Sequence, residues 1–317
     1  VAITGGYSES FAGNFNATYY KVLKLSDSYV ADGNSKDYGG NISIAANSTT
    51  ATYEDLIINA GRATRGANLY SGSTNARAEL VNCYVVDGYA TTYAGNFHAG
   101  NGYITIKGGI FDHGRAGSYG GNIATNCGKS SAANYLKLQA DDNGDLPQIT
   151  GGVAGTYGGN LYAGAVVELD AAFINNGKAK ANQGQDIWFA ENTSSHKAHK
   201  LTVGAGLSGN ISLGIATANL TKPYYALPVK DTACTELNAG LILENVENNP
   251  MLAAKEGVLY VGSVAVFDTD GNAKWHAPIA DAVADCSEDQ YVKLYTDGEV
   301  ALTKDCAIDL NGHSITV

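Results

Sequence analysis

Tyr38-Gly39-Gly40-Asn41-Ile42 recurs along the chain, and its recurrence decides the fold. Phe11-Ala12-Gly13-Asn14-Phe15, Gly66-Ala67-Asn68-Leu69, Tyr93-Ala94-Gly95-Asn96-Phe97, Tyr119-Gly120-Gly121-Asn122-Ile123 and Tyr157-Gly158-Gly159-Asn160-Leu161 are variants of it. Gly184-Gln185-Asp186-Ile187 is a degenerate last copy. With Gln185 taken as the last position, successive Asn positions lie 27, 27, 28, 26, 38 and 25 residues apart. A period of this size marks a solenoid, in which one turn of chain buries little until its neighbours stack on it.

Aligned on the Asn, the turns share further columns. Sixteen residues upstream stand Leu25, Leu80, Ile106 and Leu169, and two residues before those stand Leu23, Ala78, Ile104 and Val167. Apolar-x-apolar is the pattern of a strand with one buried face. Eleven residues before the Asn stand Val30, Val85, Phe111 and Ile174, and eight before it Gly33, Gly88, Gly114 and Gly177. These glycines predict corners that need a positive φ. Ile58 and Gly61 fit the columns with a one-residue shift. Ile3 reaches Asn14, and Ile149 reaches Asn160, in 11 residues, which reads as a second, shorter kind of rung.

Each full rung then carries about three short strands and three corners, and every strand pairs with its counterpart one rung on. The expected fold is all-β: a right-handed, single-stranded parallel β-helix with rungs of about 27 residues stacked about 4.8 Å apart. Stacking assigns roles to two columns. Asn14, Asn41, Asn68, Asn96, Asn122 and Asn160 are expected to hand hydrogen bonds from one side-chain amide to the next. Tyr38, Tyr93, Tyr119 and Tyr157, with Phe11, are expected to stack ring on ring. Those rings also suit a sugar-binding strip, but their period is the fold's own, which favours a structural staple.

The chain divides by pattern into residues 1–222 (the β-helix), 223–275 (a small β cap that includes Pro223-Tyr224-Tyr225 and Leu241-Ile242-Leu243) and 276–317. In the last part a short helix from Ile279 to Cys286 precedes Val292-Lys293-Leu294, Val300-Ala301-Leu302 and Ile308-Asp309-Leu310, which reads as the start of a second β-helix module. The chain opens inside a repeat, so further β-helix modules of one parent chain are expected partners. The spacing of 38 between Asn122 and Asn160 places an insertion within residues 127–148, with Asp141, Asp142, Asn143 and Asp145 at its polar tip. Insertions in solenoids project as loops, often on the binding face, so these four are the candidate binding residues.

Charge and composition narrow the function. The 317 residues carry a net charge of −11 and only 16% charged side chains, which leaves no basic stripe for nucleic acid. No apolar run is long enough to insert this segment into a membrane as a helix. The five cysteines, Cys83, Cys127, Cys234, Cys286 and Cys306, match no zinc spacing, and a Cys286–Cys306 pair is left open. Asp268-x-Asp270-x-Asn272 and Asp141-x-Asn143-x-Asp145 open like calcium loops but lack the central Gly and the bidentate Glu. No metal and no cofactor are expected.

The rungs and the Leu310-Asn311-Gly312-His313 turn resemble the pectin-lyase-like β-helix superfamily. The Gly-Gly-Asn-Ile repeats and Asp186-Ile187-Trp188-Phe189 look most like its bacterial surface branch of polymorphic-outer-membrane-type and adhesin-like proteins. That resemblance implies an extracellular or cell-surface, adhesin-like or structural module that meets host or environmental glycans or surface proteins. The alternative is a polysaccharide lyase or glycoside hydrolase. Of the motifs of polygalacturonase-type enzymes only an Asp-Asp pair, Asp141-Asp142, is present, and glycoside hydrolysis needs a second carboxyl facing the first across the bond. The remaining acid–base candidates are Asp112, His113 and Asp87, since a histidine between carboxylates can move protons. Each also suits a turn before a glycine.

Overall fold

The structure is a computed structural model that describes residues 1–17, 23–44, 50–125, 134–180, 183–190, 200–215, 226–228, 240–243, 252–255, 258–261, 264–270, 273–276, 279–294 and 297–317. Cys127, Cys234, Pro223-Tyr224-Tyr225 and the first part of the 127–148 insertion lie outside the described residues.

The chain forms an all-β parallel solenoid of about seven turns. A complete turn carries four short strands, for example Leu23–Ser26, Tyr29–Ala31, Asn34–Ser35 and Ile42–Ile44. Only three strands were expected from the sequence. The first two are parted by two residues, of which Asp27 in this turn has a positive φ, a separation the hydrophobic period does not resolve. Corresponding strands stack into a 13-stranded, a 6-stranded and a 9-stranded sheet. The long strand Val166–Asn175 spans the first two positions of its turn and joins both strand columns into the 13-stranded sheet.

The apolar columns hold the register. Leu25, Tyr53, Leu80, Ile106, Leu138 and Leu169 stand one above another. So do Ile42, Leu69, Phe97, Ile123, Leu161 and Ile187 in the 9-stranded sheet, all of them buried. Side chains from these columns interdigitate into one continuous core. Burial of each Leu, Ile or Phe contributes roughly 1.5–3 kcal/mol. A one-residue slip would turn a whole strand's apolar set outward. Ile3 pairs with Val30, and Ile149 with Phe111 and Ile174. The two supposed short rungs are therefore second halves of ordinary turns.

The corners correct a second expectation. Positive φ falls on the residue before the recurring glycine: Asp32, Ala60, Asp87, His113 and Asn176. Gly33, Gly61, Gly88, Gly114 and Gly177, with Gly6 and Gly152, are required for space instead. A Cβ at any of the seven would fall 1.8–2.4 Å from a backbone carbonyl oxygen. The same seven donate their N–H to the side chain of the ladder residue seven to nine positions on, as Gly88 does to Asn96 Oδ1 at 3.1 Å.

That ladder is continuous. Nδ2 of Asn14, Asn41, Asn68, Asn96 and Asn122 donates to Oδ1 of the next Asn at 2.7–2.9 Å. The second Nδ2 proton goes to a backbone carbonyl of the next turn, for Asn96 that of Asp112 at 2.8 Å. Each internal amide thus meets two donors and two acceptors, its full complement. The run ends at Asp186, not Gln185. Asp186 accepts from Asn160 Nδ2 and Gly177 N through Oδ1, and from Ser212 N through Oδ2. A carboxylate accepts but cannot donate, so nothing is passed on. Asn210, which the sequence aligns with the ladder, is exposed at the start of the strand Asn210–Ile215.

Beyond the last turns, Gly240–Leu243 pairs in parallel with Asn210–Ile215 as the final strand of the 9-stranded sheet. Leu241-Ile242-Leu243 therefore extends the solenoid instead of belonging to a separate cap. Ala226–Pro228, Leu252–Lys255 and Val258–Val261 make a small antiparallel sheet. The hairpin Val264–Phe267/Ala273–His276 pairs with Tyr291–Leu294 over a second core that includes Ile279, Val283 and Cys286 of the helix Ile279–Asp285 and the residue after it. There Tyr291–Leu294 runs parallel to Ala307–Asp309, and Gly298–Glu299 parallel to Ile315–Thr316. Val300 is buried, but Ala301 and Leu302 are exposed and outside any strand.

Candidate functional site

The three acid–base candidates sit at corners. Asp87 and His113 are the left-handed residues of adjacent turns, with φ of 55° and 51°. Asx residues and His tolerate that conformation better than most side chains. Asp112 Oδ1 accepts from Thr150 Oγ1 and from His113 N, both at 2.9 Å. Its Oδ2 lies 2.6 Å from His113 Nδ1. Asp112 therefore orients an imidazole whose side chain is 66% exposed. Asp87 is joined to this pair through its backbone, by Asp87 N to Asp112 O at 3.2 Å. The positive φ of Asp87 and His113 is that of turn residues.

The insertion tip separates into different roles. Asp141 is buried. Its Oδ1 accepts from the backbone N–H of Asn143 at 2.9 Å and of Asp145 at 2.8 Å, and its Oδ2 from Asn143 Nδ2 at 3.3 Å. Burial works to raise this carboxyl, but the hydrogen bonds from Asp145 N, the Asn82 side chain and Asn143 outweigh it and hold Asp141 below the usual carboxylate value. Asp141 is thus the clamp of the turn. Asp142 and Asn143 are exposed at the tip.

Asp145 alone of the four lines a cleft of about 700 Å³. The cleft exists because Gly144-Asp145-Leu146 rises beside an outward-facing column of the 13-stranded sheet. That column runs Tyr84, Ile110, Gln148, Phe173, Ser208 through successive turns, so the cleft is aligned with the solenoid axis. Tyr84 is 50% exposed. The side chains of Asp145 and Gln148 hydrogen-bond no described residue, which leaves a carboxylate and an amide facing an apolar floor. The sequence reading missed Tyr84, Ile110, Gln148 and Phe173. The only signal was their shared position one residue before a core column, and their types vary too much to stand out.

A second outward surface is aromatic. Phe11 and Tyr38 stack at 5.1 Å, Tyr93 and Tyr119 at 4.8 Å, Tyr119 and Tyr157 at 5.8 Å. Between Tyr38 and Tyr93 the column holds Arg65, whose guanidinium lies 5.7 and 5.0 Å from the two ring centroids. A planar guanidinium substitutes for a ring in such a stack. A neighbouring column, two residues after the ladder, adds Tyr70, His98, Tyr162 and Trp188, as in Tyr157–Trp188 at 4.5 Å. His98 lies between Tyr70 and Tyr93, with centroids at 5.5 and 5.4 Å. It is buried, and neither ring nitrogen has a hydrogen-bond partner. Burial, reinforced by Arg65, lowers its pKa to about 3.

Among the described residues no group of three or more His, Cys, Asp or Glu side chains is placed to hold a metal ion, and no helix is long and apolar enough to cross a membrane. Compared with protein-family models, with curated proteins and with solved structures, the chain matches none.

Proposed function

We propose that this chain is a segment of a bacterial cell-surface protein, a right-handed β-helix of the pectin-lyase-like kind. In this reading it serves as an adhesin-like module and binds a glycan along the cleft beside the 140–148 loop. The observation that carries the proposal is the outward column of Tyr84, Ile110 and Phe173 next to the uncommitted Asp145 and Gln148 side chains. The C–H face of a sugar ring packs on aromatic and aliphatic surface. Its hydroxyls take hydrogen bonds from a few fixed polar groups at the rim, the composition expected of a small-ligand site. A cleft parallel to the solenoid axis admits an extended chain. The aromatic ribbon is assigned to the fold, because its rings are spent on one another. The parallel pairing of Tyr291–Leu294 with Ala307–Asp309 supports a further module toward the C-terminus, but one that takes in the hairpin Val264–Phe267/Ala273–His276 and so does not begin at residue 276.

A lyase or hydrolase is the rival reading, and the Asp112–His113 pair is the observation that favours it. One experiment separates the two. The full chain is applied to a panel of polysaccharides and scored for retention and for release of reducing ends. Retention without cleavage, weakened at least about tenfold by Tyr84→Ala, is the expected result. Retention indifferent to Tyr84→Ala, or no retention, would remove the cleft from consideration. Cleavage abolished by His113→Ala would establish the enzyme instead.

A further inference from the structure

Cys286 and Cys306 stand 20 positions apart in sequence and meet in the C-terminal core. Cys286 follows the helix Ile279–Asp285 and is 2% exposed, and Cys306 packs against the same cluster just before the strand Ala307–Asp309. Both side chains belong to that one apolar cluster, and the Cys286 sulfur is near enough to act on the Cys306 thiol.

Three separate contacts hold the two segments in place. Lys304 Nζ donates to Ala284 O at 2.8 Å. Ala307–Asp309 pairs with Tyr291–Lys293. Cys286 N donates to Ala282 O at 2.9 Å. The two cysteines are therefore brought into one cluster by the fold itself, and joining them requires no new encounter of distant chain. Each thiol makes only long contacts to carbonyl oxygens, Cys286 Sγ to Gln290 O at 3.5 Å and Cys306 Sγ to Ala307 O at 3.6 Å. Little is lost when those protons leave.

Cys83 makes the contrast. It is buried in the solenoid core with its thiol on Tyr53 O, and burial pushes its pKa up to about 12. Among the described residues no second cysteine lies beside it.

We propose that Cys286 and Cys306 form a disulfide that fastens the end of the helix Ile279–Asp285 to the start of the strand Ala307–Asp309. The reaction is thiol–disulfide exchange with a small-molecule disulfide. The Cys306 thiolate, on the more accessible side, attacks that disulfide and releases one small thiolate. The Cys286 thiolate then attacks Cys306 Sγ and releases the second. Two protein thiols are oxidised, one external disulfide is reduced to two thiols, and one Sγ–Sγ bond forms. Burial and the Cys286 sulfur raise the Cys306 thiol to about 11, so the exchange should be slow at neutral pH and quicken as pH rises.

The test uses the reduced full-length chain, incubated with oxidised glutathione at about pH 8.5, quenched with acid, alkylated without reduction and mapped by mass spectrometry. A cross-linked peptide pair containing Cys286 and Cys306 is the expected product, with Cys83 alkylated only after denaturation. In Cys286→Ser, which cannot complete the second step, Cys306 should instead accumulate as the glutathione adduct. Recovery of both cysteines alkylated, a lasting glutathione adduct on the unsubstituted chain, or pairing of either with Cys83, Cys127 or Cys234 would each overturn the assignment.

Discussion

Asn96→Ala removes one rung of the side-chain ladder, and the structure allows the loss to be counted atom by atom. Asn96 makes four hydrogen bonds: from Gly88 N and Asn68 Nδ2, and to Asp112 O and Asn122 Oδ1. The two acceptors keep other donors. Asp112 O retains Asp87 N at 3.2 Å, and Asn122 Oδ1 retains Gly114 N at 2.9 Å. The two donors fare worse. Gly88 N–H loses its side-chain partner, and Asn68 keeps only its bond to Val86 O for one of its two protons. Stranding a buried donor costs about 1–3 kcal/mol, so two of them give about 4 kcal/mol. Asn14→Ala is the internal control. Asn14 is only partly buried, and its removal strands Gly6 N–H alone, for about 1 kcal/mol. Equilibrium urea unfolding followed by far-ultraviolet circular dichroism, with the denaturant slope checked for constancy, reads both. An Asn96→Ala protein within 1 kcal/mol of the parent, or two variants of equal cost, would refute the donor-counting argument.

Two further outcomes follow from single atoms. Asp186→Asn would turn an N–H donor toward Ser212 N, which now donates to Asp186 Oδ2 at 3.0 Å. A loss of about 1–3 kcal/mol is expected by the same urea measurement, although Asn is the residue at every preceding rung. His98 bears on pH: its folded pKa is lowered to about 3, below the unfolded value near 6.5. The unfolded chain therefore takes up a proton first. The stability attached to neutral His98 is complete above about pH 6.5 and is lost toward pH 3 at roughly 1 kcal/mol per pH unit. The difference in stability between His98→Phe and the parent, taken at matched pH, should grow over that window, and a difference that does not change with pH would count against a neutral buried His98.

The ladder and the core columns were legible because stacking forces the same residue type to recur at the same position. Asn41 and Asn96 announce themselves by period, and so do Val30, Val85 and Phe111. Where the constraint is on shape or charge, type varies and the period fades. Arg65 fills a ring's place in the Tyr38–Tyr93 column, so the column looked interrupted. The corner beside Gly33 needs only tolerance of positive φ, and Asp32, Ala60, Asp87, His113 and Asn176 all supply it. That variety made Asp87 and His113 look like chemistry. Asp186 was missed by one position because a carboxylate at the end of an amide series breaks the pattern it completes. The cleft could not be read at all. Tyr84, Ile110, Gln148 and Phe173 become neighbours only through register, and the wall beside them comes from a loop whose sequence declares Asp141 and Asp145 alike, although one is sealed inward and the other open.

The amide ladder also has a direction. From Asn14 onward every Nδ2 points toward the following turn and every Oδ1 toward the preceding one. The series has a head that accepts and a tail that would donate, and Asp186 substitutes oxygen for nitrogen at that tail. Another turn of the same kind could be added ahead of Asn14 without altering any existing side chain. After Asp186 it could not, until that oxygen became a nitrogen again. The chain thus specifies the extent of its own run in one atom, much as a terminating monomer fixes the length of a polymer.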